Sequence, residues 1–434
     1  SSDLIMLNWK NKFSLSGFNY LVATAIACSI LSANVLNAQN RINSPYSMFG
    51  PGEVRGNSLF QNMSMGGIAQ GFRSNVIVNH VNPASYTASD SLSFIFDAVI
   101  FSHMYRQKLD GNQQMSNYSM LGNLNFAFPV TRFWSMAAGL LPFSQLGYNI
   151  SEFSATREDV KFTYQGSGGI NQVYLGQGFK IFPTLSVGVN ASYLFGRTED
   201  KTIVASDSIG FYSSTWSVAD EINGFMFTYG IQWHRELRNR NMISIGATYT
   251  HNTNLNISRN SFLISELPGV TFPDTLGHTV SEPGKMLVPA RVAAGVFMDL
   301  NTEWSLGLDY ETQFWSNFES KGISGDLNDS YMLRAGTIFN PEFATYANIL
   351  NRLEYRAGIR YGKSFLNLND QSFNEFGISF GIGIPLRRSL SGINVGFEYS
   401  TRRTEAPGFM QEDFFRVNIG LNVYERWFVR RKFF

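Results

Sequence analysis

Apolar and polar residues alternate along most of this chain, from Ser91 to the C-terminal residues. After Glu303, for example, Trp304, Leu306 and Leu308 share one face, and the residues that follow them are Ser, Gly and Asp in turn. Alternation with a period of two predicts β-strands with one apolar face. The alternating segments run to about 10–20 residues, whereas soluble strands usually have about 5–6. A tilted strand needs about 9–11 residues to cross a membrane, so the pattern favours membrane-crossing strands.

The number and connection of these segments predict a closed barrel. We count about fourteen, an even number that returns the C-terminus to the side where the first strand starts. Their starts are Ser91, Met115, Arg132, Gly169, Thr184, Phe211, Asn241, Lys285, Thr302, Ser330, Arg352, Gln371, Leu390 and Gln411. Tight connections alternate with longer polar links at 151–169, 266–285 and 316–330, and the link at 340–351 is the exception. We therefore predict an all-β fold, an antiparallel transmembrane β-barrel of about 14 strands over residues 91–434.

The first 38 residues have the pattern of a secretory signal peptide. Lys10 and Lys12 precede an apolar run at 21–31, and Ala38 supplies a small residue for cleavage. The alternative, a membrane anchor, is disfavoured because the run is shorter than the roughly 20 residues of a spanning helix. Cleavage near Ala38 would place the mature chain in the cell outer membrane. It would also remove Cys28, the one cysteine, and with it any disulfide, thiol nucleophile or lipid attachment at that residue.

Residues 39–90 differ from the rest and predict an N-terminal plug, or hatch. The stretch 64–86 is rich in glycine, including Gly66 and Gly67, and ends in the turn signal Asn82-Pro83-Ala84. Apolar residues are spaced through this polar background, and we take them as candidate ligand-binding residues lining a cavity: Phe49, Val54, Phe60, Ile68 and Phe72. The alternative is a segment ordered only by packing.

The third predicted strand is irregular at Gly139 and Pro142. Proline cannot donate a ladder hydrogen bond, and inside a strand it marks a bulge or a break. Two interpretations remain open. The strand ends at the outer rim, or it kinks and opens a gap in the wall, in which case these residues form a lateral gate.

If the apolar stripe faces lipid, a set of charges points into the lumen: Arg291, Asp309, Glu311, Arg334, Glu354, Arg356, Arg360 and Glu398. The reverse arrangement would cost roughly 2–4 kcal/mol per arginine near the bilayer midplane. Both signs are present, so these residues are candidates for a structural ion-pair network bracing the wall against the hatch. The functional alternative is a polar wall that turns an apolar cargo towards another exit.

Composition and motifs argue against other functions. Lys+Arg (34) and Asp+Glu (33) nearly balance, which gives no reason to expect nucleic-acid binding. The five histidines are scattered without metal-ligand spacing, and neither a nucleophile elbow nor a phosphate-binding loop occurs. We expect no enzyme activity, no cofactor and no metal.

Several motifs resemble the FadL/TodX family of outer-membrane transporters for hydrophobic compounds. The segment 64–69 with Asn82-Pro83-Ala84 is similar to the family's hatch signature, and 287–295 with 304–315 resembles a late strand pair. The segments 43–50 and 425–434 resemble the Bacteroidota branch. The resemblance implies a plugged barrel of about fourteen strands whose apolar cargo leaves laterally through a kink in the third strand.

The predicted function is therefore passive uptake of a hydrophobic small molecule across the outer membrane, with the lipid bilayer and that ligand as partners. One departure is the link at 151–169, which is short and polar where the transporters have apolar capture helices. Some FadL-like barrels of Bacteroidota resemble scaffolding parts of protein secretion or outer-membrane assembly machines. The alternative function is thus a non-transporting accessory subunit with protein partners in such a complex.

Overall fold

The computed structural model describes residues 43–55, 58–206, 208, 210–237, 241–266, 274–300, 303–341, 349–386 and 389–427. The predicted signal peptide lies outside these ranges. Within them, fourteen wall strands follow one another: β1 (Ser93–Leu109), β2 (Asn112–Pro129), β3 (Trp134–Phe153), β4 (Val160–Phe182), β5 (Leu185–Ser206), β6 (Ser213–Glu236), β7 (Met242–Thr250 and Thr253–Glu266), β8 (Asp274–Val280, Gly284–Val288 and Arg291–Leu300), β9 (Trp304–Gln313), β10 (Ser330–Phe339), β11 (Glu354–Leu368), β12 (Gln371–Pro385), β13 (Gly392–Arg403) and β14 (Gln411–Arg426).

These strands close into one antiparallel barrel, as predicted. Each wall strand pairs with the next along the chain, and β1 closes the ring by pairing with β14 from Ser93↔Arg426 to Lys108↔Gln411. Closure leaves no outer edge at the seam between the first and last strands. No helix within the described residues combines the length and the apolar character needed to cross a membrane.

The alternation of side chains sorts lipid-facing from lumen-facing positions. On β1, Asp97, Val99 and His103 are buried in the interior, whereas Ile100 and Met104 are exposed on the outside. Exposed apolar residues continue around the wall as the lipid-facing band expected of an outer-membrane barrel.

Two strands are longer than their pattern predicts. β4 begins at Val160 rather than Gly169, and β8 begins at Asp274 rather than Lys285, so much of the predicted outer links 151–169 and 266–285 is strand. In the first case the run 166–169 consists of Gly and Ser, which carry no alternation signal but still pair with β5. The wall is longer on one side of the barrel than on the other. Strands β4 to β6 have 22–24 residues, whereas β9 and β10 have 10.

The hatch residues form short elements inside the wall. They comprise the 3₁₀ helices Pro45–Met48, Phe60–Met65 and Pro83–Ala88 and the two-residue strand Glu53–Val54. Outside the hatch, short elements connect wall strands: the 3₁₀ helices Trp315–Asn317 and Ile349–Arg352 and the strands Glu319–Ser320 and Ile323–Ser324. Most hatch residues from 59 to 72 and from 77 to 87 are buried.

Candidate functional site

The glycine turn of the hatch lies directly on the backbone of the wall. The helix Phe60–Met65 ends at Gly66, which adopts a left-handed conformation (φ 75°), and its N–H donates to Ser379 Oγ at 3.0 Å. Gly67 is also left-handed (φ 79°). A Cβ on either Gly336 or Gly358 of the wall would overlap backbone atoms of Met65. The inward-facing wall glycines thus leave the space that the hatch fills.

Asn82-Pro83-Ala84 joins two parts of the hatch. The Asn82 side chain accepts from the Ala84 N–H at 3.1 Å and so caps the helix Pro83–Ala88, and its Nδ2 donates to the Gln70 carbonyl at 2.8 Å. Proline at the first helical position needs no amide partner. The motif therefore fixes residue 70 relative to the segment that enters β1.

Two wall carboxylates bind backbone amides of the hatch. Asp309 Oδ2 accepts from the Ala69 and Gln70 N–H groups at 2.7 and 2.9 Å. Asp97 Oδ2 accepts from the Val78 N–H at 2.8 Å, and its other oxygen accepts from Asn125 at 2.9 Å. Sequence reasoning missed Asp97, although it is the one carboxylate inside the apolar run 94–101.

Six of the eight predicted lumen charges are buried, Glu354 and Arg360 are half-buried, and six of the eight form ion pairs. Arg334 pairs with Glu311 at 3.2 Å, and Arg356 pairs with Glu354 while donating to the Gln61 carbonyl of the hatch at 2.8 Å. The remaining contacts are Arg360 with Glu398 at 2.9 Å and with Glu375 at 3.6 Å, and Arg291 with Thr250 Oγ1 at 3.3 Å. These residues form a mixed-charge network rather than a ring of one sign.

The centre of this network is Arg402, which the sequence did not single out. Its guanidinium contacts Glu53 of the hatch at 2.9 Å, Glu375 at 2.9 Å and Glu412 at 3.2 Å. All four side chains are almost fully buried, and Glu412 also accepts from Ser44 Oγ at 2.6 Å. One arginine thus ties the hatch to β12, β13 and β14.

The third wall strand departs from its neighbour at the predicted gate. β2 and β3 pair only from Leu124↔Leu140 to Pro129↔Ser135, so Gly139, opposite Asn125, lies within the closed part. Beyond it β3 stays paired with β4, with a register shift at Pro142, and leaves β2. Residues 141–144 are all buried, so this segment has no lipid-facing side. The wall between β2 and β3 is therefore interrupted above Gly139.

The edge of β3 that β2 leaves is taken by residues 43–55, which we call the N-terminal arm. Glu53 and Val54 pair with Gln145 and Ser144 in antiparallel register. The Arg55 N–H donates to the Phe143 carbonyl at 2.8 Å, and the Ser44 N–H donates to the Gly147 carbonyl at 2.9 Å. The arm thus replaces β2 as the neighbour of β3.

The Arg55 side chain reaches across to β1 and β2. It donates to Tyr105 Oη at 3.0 Å, lies 3.2 Å from His103 Nε2 and contacts Tyr118 Oη. Its guanidinium also lies over the Phe101 ring, 5.7 Å from the centroid. The interruption is thus bridged on the lumen side by one arm residue.

Comparison with known proteins places this barrel in a family. The sequence model of the BamG family matches residues 21–434. The chain belongs to the BamG family. Comparison with curated protein sequences found no match.

Solved structures share the fold of this BamG-family chain at low sequence identity. The Pseudomonas putida toluene transporter TodX is 15% identical, with a TM-score of 0.58 over 87% of this chain and 98% of that one. The Ralstonia pickettii toluene transporter TbuX is 13% identical, with a TM-score of 0.57 over 86% of this chain and 99% of that one. The predicted FadL-like barrel is confirmed at the level of the fold, and the Bacteroidota branch stays a prediction.

The candidate ligand-binding residues of this BamG-family chain do not converge on one site. Phe49 and Val54 pack against an apolar cluster in the outer half of the lumen that includes Trp315. Ile68 and Phe72 belong to a separate cluster with Phe297. The side chain of Phe60 lies outside the described part of the structure.

A cavity of about 150 Å³ lies between the hatch and the wall strands β9–β14 and β1. Arg55, Glu311, Arg334, Arg360 and Arg402 are among its lining residues. An apolar cavity of similar size can bind a benzene ring, but a polar one holds water. The charged lining therefore suits a few water molecules better than a hydrocarbon.

Proposed function

We propose that this BamG-family barrel is a non-transporting accessory subunit of an outer-membrane protein complex. The observation that carries the proposal is the pairing of the N-terminal arm with β3, at the place where a kinked third strand would otherwise open the wall. An apolar cargo leaving sideways would have to displace that arm and the buried charges that hold it.

Other features of the chain support the same role. Hatch amides are bound by wall carboxylates, and Arg402 adds a buried ion pair to the arm. The β3–β4 connection is a short hairpin containing the exposed Arg157–Asp159 pair at 2.7 Å, in place of an apolar capture surface. Membership of the BamG family also fits an accessory role.

Passive uptake of a hydrophobic small molecule is the second candidate. It is supported by the fold shared with the two toluene transporters and by the proline at the kink of the third strand. In that case Gly139 and Pro142 would form the lateral gate, and the arm would have to move during each passage.

Uptake by cells separates the two proposals. Cells lacking the native copy would express the wild-type chain or Gly52→Val, and entry of toluene and of a long-chain fatty acid would be measured. A Cβ on Gly52 (φ 91°) would lie 2.5 Å from the Gln145 carbonyl oxygen, so the valine should displace the arm from β3. Gly408→Val is the matched control, since Gly408 has a similar φ (80°) with nothing within 4 Å.

An accessory subunit predicts background entry with the wild type and with Gly408→Val, and raised entry with Gly52→Val. It also predicts that the wild type purifies at constant stoichiometry with other outer-membrane proteins. The proposal would be refuted, and uptake favoured, if the wild type accelerated entry of either compound and Pro142→Val abolished that acceleration without loss of folded barrel.

A further inference from the structure

The outer surface of the wall carries a groove that crosses β4, β5 and β6. Its volume is about 710 Å³, and its lining includes Gly169, Asn171, Arg197, Glu221 and Asn223. The four side chains of this set are exposed. Gly169 leaves a gap beside Arg197, its partner on β5, because a Cβ at Gly169 would lie 2.5 Å from a backbone oxygen of β3. We call this surface the outer groove.

The outer groove lies at the outer boundary of the apolar band. Trp134 and Phe179, whose rings stack with 6.2 Å between centroids, mark the inner aromatic girdle. Along β4, Asn171 comes eight residues above Phe179 and Gly169 comes ten residues above it. At about 3.3 Å per residue and a tilt near 40°, they are about 20 and 25 Å above the girdle, and such a band is about 25 Å tall.

The outward-facing residues change from apolar to polar at this same height. On β5 the exposed Phe195 is followed by Arg197, and on β6 the exposed Phe225 is preceded by Asn223 and Glu221. The register aligns the two changes, because Phe195 pairs with Asn223 and Arg197 with Glu221. All three strands continue eight or nine residues beyond the groove. The groove is therefore at headgroup height, and the wall above it stands outside the hydrocarbon.

The polar side chains of the outer groove suit a phosphorylated sugar. Arg197 Nη1 and Glu221 Oε1 are 4.0 Å apart, and the two side chains are 57% and 56% exposed. Since an exposed pair contributes about 0–1 kcal/mol, the guanidinium can turn to a phosphate, which it binds with two charge-assisted hydrogen bonds. The amides of Asn171 and Asn223 both donate and accept, and the Glu221 carboxylate accepts, as hydroxyl and N-acyl groups of a sugar require.

Aromatic rings border the outer groove on its membrane side. Tyr193 and Phe195 stack with 6.0 Å between ring centroids, and the Phe225 ring lies 5.1 Å from that of Tyr193. All three side chains are exposed to the bilayer. They offer an apolar surface directly below the polar groups. A ligand that fits both surfaces has a phosphorylated sugar head and acyl chains that point into the membrane.

We propose that the outer groove binds the headgroup of lipopolysaccharide, a phosphorylated glucosamine disaccharide, in the outer leaflet. Arg197 binds a phosphate, Asn171 and Asn223 bind the sugar, and acyl chains lie over Tyr193 and its neighbouring rings. The site goes beyond the proposed function, because it concerns the lipid around the barrel and holds for an accessory subunit and for a transporter alike.

Native mass spectrometry of the purified barrel in detergent measures the lipid preference. The barrel is titrated with diphosphoryl lipid A and with cardiolipin, which carries two phosphates and four acyl chains but no sugar. We expect lipid A to bind at least tenfold more tightly. Equal affinity would overturn the proposal, because phosphates and acyl chains alone would then account for the binding.

Three variants test whether lipid A binds in the outer groove. Arg197→Gln and Asn223→Leu should each raise the dissociation constant for lipid A at least fivefold. Arg157→Gln is the matched control and should change it less than twofold. The Arg157 side chain is 59% exposed and pairs with Asp159 at 2.7 Å, but it lies in the β3–β4 hairpin beyond the groove. Heat-modifiable mobility verifies that each variant is folded. Equal effects of all three, or no effect of the two groove variants, would refute the site.

Photocrosslinking in native membranes identifies the occupant of the outer groove. A benzophenone amino acid is placed at Asn171. We expect adducts that an antibody against lipid A recognises. Adducts with another protein, or with phospholipid alone, would refute the assignment. Since none of these measurements depends on cargo entry or on co-purified proteins, failure here is distinguishable from failure of the accessory role.

Discussion

Removing Arg402 tests most directly whether buried charges hold the N-terminal arm in the barrel. In Arg402→Leu the carboxylates of Glu53, Glu375 and Glu412 stay buried and lose their shared cation. Arg403→Leu is the matched control on the same strand. Its side chain is 48% exposed and pairs with Asp413 at 3.0 Å.

The expected magnitudes differ because of burial. Loss of one member of a buried ion pair costs about 3–5 kcal/mol, since it leaves an uncompensated charge in the interior. Loss of Arg403 should cost less, because its side chain is half exposed and the buried Asp413 keeps Arg106 at 2.7 Å and Lys108 at 3.5 Å. A cation at the surface contributes about 0–1 kcal/mol to such a pair. We therefore expect Arg402→Leu to lower the free energy of unfolding by at least 3 kcal/mol, and Arg403→Leu by less than 1 kcal/mol.

Reversible urea unfolding in lipid vesicles, followed by tryptophan fluorescence, measures this difference. Hydrogen exchange of residues 43–55 reports whether the arm loosens before the wall unfolds. A cycle with Glu53→Gln isolates the contact between arm and wall, because residues in direct contact show a coupling energy and independent ones do not. Equal destabilisation by the two arginine variants, or zero coupling with Glu53→Gln, would refute the reasoning.

Two further changes test the seating of the hatch. Gly358→Val should prevent stable folding, because its side chain would overlap the hatch backbone. Gly277→Ala should fold normally, because a Cβ there has a single neighbour at 3.9 Å. Heat-modifiable mobility on gels distinguishes folded from unfolded barrels. Burial and the nearby Arg291 guanidinium lower the pKa of His80 to about 3. The unfolded chain then binds more protons between pH 6.5 and 3, so stability falls as pH falls through that window, by about 4–5 kcal/mol in total. His80→Gln should lose this part of the pH dependence, and an unchanged unfolding profile would contradict the assignment.

The alternation of apolar and polar residues was enough to predict the strands and their two faces. In a strand, successive side chains point to opposite sides, so a run such as 304–310 identifies the lipid face and the lumen face without reference to any other strand. The same reasoning predicted that charged residues such as Arg334 and Arg356 face the lumen, and both are buried in the structure. Pro142 predicted an irregularity in the third strand, because the missing amide is a property of the residue itself. The register of β3 against β4 shifts between Pro142 and Ser144.

The segments that fill the lumen and the interruption in the wall could not be predicted in this way, because they depend on contacts between distant parts of the chain. Glu53 meets Arg402 across 349 positions in sequence, and Val54 pairs with Ser144. Such contacts depend on barrel closure, on register and on the path of an irregular segment, none of which leaves a periodic signal. Alternation specifies which face a residue occupies, but not which residue it meets across the lumen. That is why the lumen charges were predicted as a set, whereas the arm that pairs with β3 emerged only from the fold.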